Sequence, residues 1–418
     1  MGILLVGATT AEGETVDVRI DAGRIAAVGA LDRLPDEEVH DLAGYILLPA
    51  PAEPHAHLDK ALTADRVVNR TGDLLGAITA WQAAWPSLTK DDIADRARRA
   101  ALSGVANGLT AIRSHGDLSS VIGLRSMEAL VEVRDELRDL VDIQVVALIA
   151  LPTAGPGGAN HRALLRDALD MGVDIAGGCP HLDDDRLGCL EACLEIAAAA
   201  GRPIDLHTDE TLNPEVLGLR DFARLVASTG FPHGATASHC VSLGMQEEHV
   251  QKAVAAEVAE AGVAVVTLPQ TNLFLQGHGH ITGMPRGLTA LRPLLDAGVT
   301  LAGGADNVQD PFNTMGRADP LETAALLVMV GHLLPHEAYA AVSAGARAAM
   351  GLERVSIAAS SPAELLAVRA TTLREAIATA HPDRLVYHRG RLVAQTRSTT
   401  VFADTEQSAS HDTERSHD

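Results

Sequence analysis

Two neighbouring stretches, Tyr45-Ile46-Leu47-Leu48-Pro49 and Pro54-His55-Ala56-His57-Leu58-Asp59, divide the chain into two kinds of pattern. Upstream, Thr15-Val16-Asp17-Val18-Arg19-Ile20 alternates with period two. Asp21-Ala22-Gly23-Arg24 then has turn chemistry, and Ile25-Ala26-Ala27-Val28 resumes the strand. Downstream, apolar or β-prone runs fall at 109–114, 143–151, 173–177, 203–207, 235–239, 263–268 and 299–303. Between them lie Ala-rich, charged stretches of helical pattern, including 90–107, 161–171, 186–200, 215–229 and 246–261.

Strands alternating with helices imply βαβ units and a parallel sheet. With the run that leads into His55 the strands number about eight, which predicts an α/β fold, a (β/α)8 TIM barrel. Strand-like patterning returns at 363–369 and 384–393, with a hairpin turn at His388-Arg389-Gly390-Arg391. Residues 1–50 and 354–401 are therefore expected to pair into a small β-sandwich domain, with the barrel, 51–353, inserted between them. Residues 402–418 are polar and without period and are expected to form a disordered tail.

Hydrophobic residues make up 47% of the 418, enough for a sizeable core, but aromatics only 2%, so that core is built from Ala, Leu, Val and Ile. Few aromatic platforms remain for stacking on single-stranded nucleic acid. The formal net charge of -22 repels phosphate backbones and anionic lipid, so neither nucleic acid nor a membrane is an expected partner. No apolar run reaches the roughly 20 residues that a bilayer span needs. The apolar start Met1-Gly2-Ile3-Leu4-Leu5-Val6 lacks a basic leader and reads as a strand rather than a signal peptide. Four cysteines without a CxxC pair argue for a reducing compartment, the cytoplasm.

Several strand ends stop on a residue able to bind metal: His55 and His57, His115 with Asp117, His207 with Glu210, His239, and Asp306 with Asn307. In a parallel barrel these ends share one mouth, where barrel enzymes place their chemistry. His55 and His57, two apart on a strand, point to the same side and can reach one ion. His207 would be the third nitrogen ligand, or else a satisfied core histidine. Asp306 could ligate and take a proton from the attacking water, or cap the next helix; Gly303-Gly304 before it suggests close backbone approach. Glu210 could shuttle protons, or be a first-turn helix glutamate. His239 could ligate or stabilise developing charge. His115 and Asp117 are assigned to substrate binding or to orienting the ligands, with a purely structural role an equal reading.

These residues, in this order, resemble the amidohydrolase superfamily, above all its cytosine deaminase branch. The likeness runs from the N-terminal β segment through Val393. It is carried by His55-Ala56-His57-Leu58-Asp59-Lys60, His115-Gly116-Asp117, His207-Thr208-Asp209-Glu210, Ser238-His239, the 272–277 segment and Ala305-Asp306-Asn307 through Phe312. The resemblance implies one divalent ion, zinc or iron, held by His55, His57, His207 and Asp306. It also implies Glu210 as proton shuttle and His239 as the group that positions the nucleophile. Binuclear members carry a carboxylated lysine at strand four, whereas 173–180 has none, and Lys60 stands at the wrong strand for that role. Thr153 occupies the place of a glutamine that reads the pyrimidine in that branch, and a threonine cannot make the paired amide contact. Asn307 replaces a second aspartate, and Phe312 a tryptophan. Thr153, Asn307 and Phe312 are thus the expected substrate-binding positions. Relatives with such changes include hydrolases of N-alkylated triazine rings.

The expected function is hydrolysis of a C–N bond on a small heterocycle, by deamination of a pyrimidine-like ring. The alternatives are cleavage of an N-substituted triazine amine or a cyclic amide, and a non-catalytic metal-binding protein on the same fold. A homo-oligomer is expected from the resemblance alone.

Overall fold

In a computed structural model the described residues are 2–402; the remainder of the expected tail, 403–418, lies outside them. Eight parallel strands form the barrel: Ala52–Ala56, Ala111–Leu118, Asp142–Ile149, Ile175–Gly178, Ile204–Thr208, Ala235–His239, Ala264–Thr267 and Leu301–Gly303. They pair in chain order. At the seam Ala56 bridges Asp306, the Asp306 N–H donates to the His55 carbonyl at 3.1 Å, and the His57 N–H donates to the Asp306 carbonyl at 3.1 Å. Buried Glu53 ties the same seam, accepting from the N–H groups of His55 at 3.1 Å and Ala305 at 2.9 Å. At Gly304 a Cβ would stand 2.4 Å from Glu53 Oε1, so a larger residue would have to displace that buried carboxylate.

The terminal segments make a separate β-sheet. The antiparallel pairing of Tyr45–Pro49 with Leu365–Arg369 joins its N-terminal strands to its C-terminal ones. Both hairpins read from the sequence are two-residue turns with left-handed central residues, Ala22 and Gly23 (φ 48° and 79°) and Arg389 and Gly390 (φ 49° and 73°). Along Tyr45–Pro49 the side chains alternate between two cores. Tyr45 and Leu47 pack with Leu365, Ala367 and Tyr387, whereas Ile46 and Leu48 join Leu366 and Val368 in the barrel's cluster. A strand buried on both faces is apolar throughout, which explains the unbroken apolar run Tyr45-Ile46-Leu47-Leu48-Pro49. The first barrel strand is instead the short Ala52–Ala56, whose own apolar signal is weak.

Helix Leu74–Ala84 follows the first barrel strand, capped by Asp73, whose side chain accepts from the Gly76 N–H. Among the described residues no helix is long and apolar enough to cross a membrane.

Candidate active site

The C-terminal ends of the strands bring His55, His57, His207, His239 and Asp306 to one buried point. Ligand atoms of His55, His57 and His207 lie within 4.8 Å of one another, and so do those of His55, His239 and Asp306. His57 Nε2 is 3.1 Å from His207 Nε2, and Asp306 Oδ1 lies 3.4 Å from His57 Nε2 and 3.6 Å from His55 Nε2. The backbone is left-handed at His239 (φ 70°) and Asp306 (φ 65°), a conformation that costs non-glycine residues energy and persists where packing holds it.

The donor set fits a cation. His55 Nε2, His239 Nε2 and both oxygens of Asp306 are buried with no hydrogen-bond partner, an expensive arrangement unless something positive binds them. Burial drives the pKa values of His55, His57 and His207 well down, which keeps their lone pairs free, and drives that of Asp306 well up with the help of Glu210 and Asp310. Neutral imidazoles around a carboxylate destabilised as an anion describe a site short of positive charge. His55, His115 and Asp205 also cluster, but Arg113 already neutralises Asp205 at 2.8 Å.

The surrounding groups orient this set. His239 Nδ1 is 3.1 Å from Asn272 Oδ1, so it donates there and turns its Nε2 lone pair towards Asp306. Glu210 Oε1 stands 3.6 Å from His239 Nδ1, and burial pushes its pKa up to about 8 against the opposing pull of Lys60. Lys60 Nζ lies 2.9 Å from His57 Nδ1 and 3.2 Å from Asp117 Oδ2. Burial opposes its charge, but Asp117, Asp59 and Asp310 outweigh that and raise its pKa.

These groups form one side of a cavity of about 790 Å³, open solvent at its mouth included. The other side is apolar: Leu74, Ile78, Trp81 and Trp85 from a single helical stripe, facing Leu148, Leu151 and Leu182. Both tryptophans of the chain stand on this wall.

Asp117, Asn307 and Phe312 line the cavity as expected of substrate-side residues. The Asp117 carboxylate accepts from Trp81 Nε1. The Asn307 amide is engaged on both ends, donating to Asp310 at 2.8 Å and accepting from Thr271 at 3.2 Å. Two expected substrate residues are not on the wall. The Thr153 N–H donates to Asp183 at 2.7 Å and its hydroxyl points back to the Ala150 carbonyl at 3.3 Å, so Ala150 and Leu151 face the cavity in its place. His115 lies behind the histidine cluster, its ring stacked 3.9 Å from that of His55. Sequence reasoning gave no role to Lys60, Trp81, Asn272, Ser238 or Asp205. For Lys60 the signal was its place directly after the His-Ala-His-Leu-Asp run; the helix carrying Trp81 was not read at all.

A parallel barrel with histidines and an aspartate converging at its strand ends is the architecture of a metal-dependent hydrolase. A model of the amidohydrolase family matches residues 64–396. A pterin deaminase of Rhizobium rhizogenes is 33% identical over 363 residues, 84% of this chain and 82% of its own. The crystal structure of 5-methylcytosine deaminase from Klebsiella pneumoniae liganded with 5-fluorocytosine matches with a TM-score of 0.87 at 26% identity, covering 96% of this chain and 99% of that one. That of N-isopropylammelide isopropylaminohydrolase from Burkholderia multivorans matches with a TM-score of 0.83 at 29% identity, covering 94% and 98%. The chain belongs to the amidohydrolase family, in its cytosine deaminase-like branch, and is a hydrolase of carbon–nitrogen bonds.

Proposed function

We propose that the chain deaminates a small nitrogen heterocycle, hydrolysing an exocyclic carbon–nitrogen bond with release of ammonia. What carries this reading is the meeting of a cation-shaped set of orphaned buried donors with a buried, proton-holding Glu210 at the edge of a cavity that is polar on one side and apolar on the other. The names of the similar deaminases support it. His55, His57, His207 and Asp306 would hold one divalent ion, zinc or iron. Such an ion, when bound, supplies Lewis acidity that lowers the pKa of water towards neutrality.

The protein groups do the rest. His239, oriented by Asn272, accepts a hydrogen bond at Nε2 from the attacking water. Asp306 takes that water's proton as the oxygen adds to the ring carbon. Glu210 gives its proton to the ring nitrogen beside that carbon; Asp306 then passes the water's proton to the departing nitrogen, and the adduct's hydroxyl proton returns to Glu210 as the carbonyl forms. Asp117, Lys60, Asn307 and Phe312 position the ring, while the tryptophan wall excludes bulk water.

The apolar stripe of Leu74, Ile78, Trp81 and Trp85 favours a second reading, a ring carrying an apolar substituent, in line with the N-isopropylammelide hydrolase among the similar structures. A panel of pyrimidines, pterins, N-alkylated triazines and cyclic ureides separates these. Ammonia release supports deamination, and alkylamine release supports the second reading. Ring opening, or no turnover of any member by zinc- or iron-loaded protein, sinks both. The cytoplasm and a homo-oligomeric state belong to the same proposal; all four cysteines are unpaired, as a reducing compartment requires.

A further inference from the structure

A buried chain of hydrogen bonds runs behind His55 and takes no part in the chemistry above. At its far end Arg113 Nη1 donates to Asp205 Oδ2 at 2.8 Å and to Thr236 Oγ1 at 3.2 Å, while its Nε donates to Gln144 Oε1 at 3.0 Å. Ser238 Oγ donates to the other carboxylate oxygen, Asp205 Oδ1, at 3.1 Å. His55 Nδ1 lies 2.8 Å from that same Ser238 Oγ. Arg113, Asp205, Ser238 and His55 are at most 3% exposed, so water does not exchange with these bonds.

The direction of each bond follows from what each group can give. A guanidinium only donates and a carboxylate only accepts, so Asp205 receives hydrogens from both sides. Ser238 has one hydrogen and gives it to Asp205. Its oxygen is left with lone pairs, and His55 Nδ1 must therefore be the donor to it. The neutral ring then carries its hydrogen on Nδ1 and its lone pair on Nε2. That Nε2 has no partner in the protein and faces Asp306 Oδ1 at 3.6 Å.

We propose that Arg113, Asp205 and Ser238 form a relay that sets the tautomer of His55, holding its Nε2 lone pair ready for the cation. The proposal rests on reading His55 as a ligand. The three are positioning residues. Arg113 gives the relay its polarity, because it leaves only one acceptable orientation for whatever stands at position 205.

Asp205→Asn tests this with almost no change of shape. The amide must turn its oxygen to Arg113, so its NH2 faces Ser238. Ser238 then accepts from the amide and donates to His55 Nδ1, and the ring hydrogen moves to Nε2. In metal-free protein, ¹⁵N-histidine NMR is expected to find His55 protonated on Nδ1 in the wild type and on Nε2 in Asp205→Asn. Zinc affinity, measured by competition with a chromophoric chelator, is expected to fall about 10–100-fold in Asp205→Asn and in Ser238→Ala, the usual effect of removing a group that orients a metal ligand.

The double variant Arg113→Met/Asp205→Asn frees the amide to turn its oxygen towards Ser238 and is expected to regain most of the lost affinity. A merely structural ion pair predicts the reverse, with the double variant no better than Asp205→Asn. That result, or wild-type zinc affinity in both Asp205→Asn and Ser238→Ala, overturns the relay. If His55→Ala binds zinc like the wild type, the ligand reading fails instead; the NMR arm, which needs no metal, still decides the tautomer.

Discussion

Glu210 is where the proposed reaction turns on a single side chain. Its pKa of about 8 comes from burial, so near neutral pH it holds a proton that an exposed glutamate would have lost. The proposed shuttle needs that proton at the start of the cycle. As pH rises through its pKa the acid is lost, so kcat/KM should fall along a basic limb. A bound cation lowers the pKa further, which sets the limb no higher than about pH 8. Glu210→Gln should retain the metal and lose nearly all turnover; activity flat to pH 10, or a working Glu210→Gln, removes the shuttle role. The residue types were legible at this scale, because histidines and carboxylates at strand ends have few other reasons to recur. Their partners were not. Nothing in the pattern of Asn272, Ser238 or Asp205 says that each faces a histidine, since those contacts join elements distant in sequence.

Between elements, the clearest electrostatic link joins the helices Gly218–Thr229 and Glu248–Ala261. Glu257 receives Arg220 at 2.6 Å and Arg224 at 2.7 Å, and these two hydrogen bonds hold its pKa down to about 2. A carboxylate whose folded pKa is depressed contributes stability that is fully present above its unfolded pKa and lost as pH falls towards the folded one. The contribution is therefore intact at neutral pH and disappears between about pH 4.5 and 2. Glu257 is 28% exposed, so solvent screening limits the effect to about 1 kcal/mol. Glu257→Gln should lower the neutral-pH unfolding free energy by that amount in urea titrations. Its curve should converge with that of the wild type near pH 2, and an equal loss at both pH values removes the assignment. Ala-rich, charged helices such as Lys90–Ala106 and Arg186–Ala200 were readable within a residue or so. Leu74–Ala84 was not, because it is apolar on most of its surface and lies against the cavity.

For the whole molecule, the question is whether the terminal sheet and the barrel unfold together. A buried ion pair joins them: Arg384, on a strand of the terminal sheet, donates to both oxygens of Asp319 at 2.9 and 2.8 Å, and Asp319 also caps the barrel helix Pro320–Met329. Arg384 further donates to the Asn107 carbonyl at 2.6 Å. Removing one partner leaves the other charge buried, at a cost of about 3–5 kcal/mol. Asp319→Ala should lower the melting temperature of the entire chain in one calorimetric transition. Two separated transitions would mean that the sheet and the barrel are not coupled through this pair.

The sequence by itself determined the architecture and the chemical inventory. Hydrophobic period distinguishes strand from helix locally, strand–helix alternation leaves few topologies, and the polar strand ends must meet wherever a parallel sheet closes. Only the tertiary structure decided which residues touch. It made Ala52–Ala56 the first barrel strand, drew Thr153 away from the cavity, brought Lys60 into it, and gathered both tryptophans on one wall. It also aligned Arg113, Asp205 and Ser238 behind His55. These are contacts between residues tens to hundreds of positions apart. Local pattern carries no information about them, because they depend on the register and closure of the barrel as a whole.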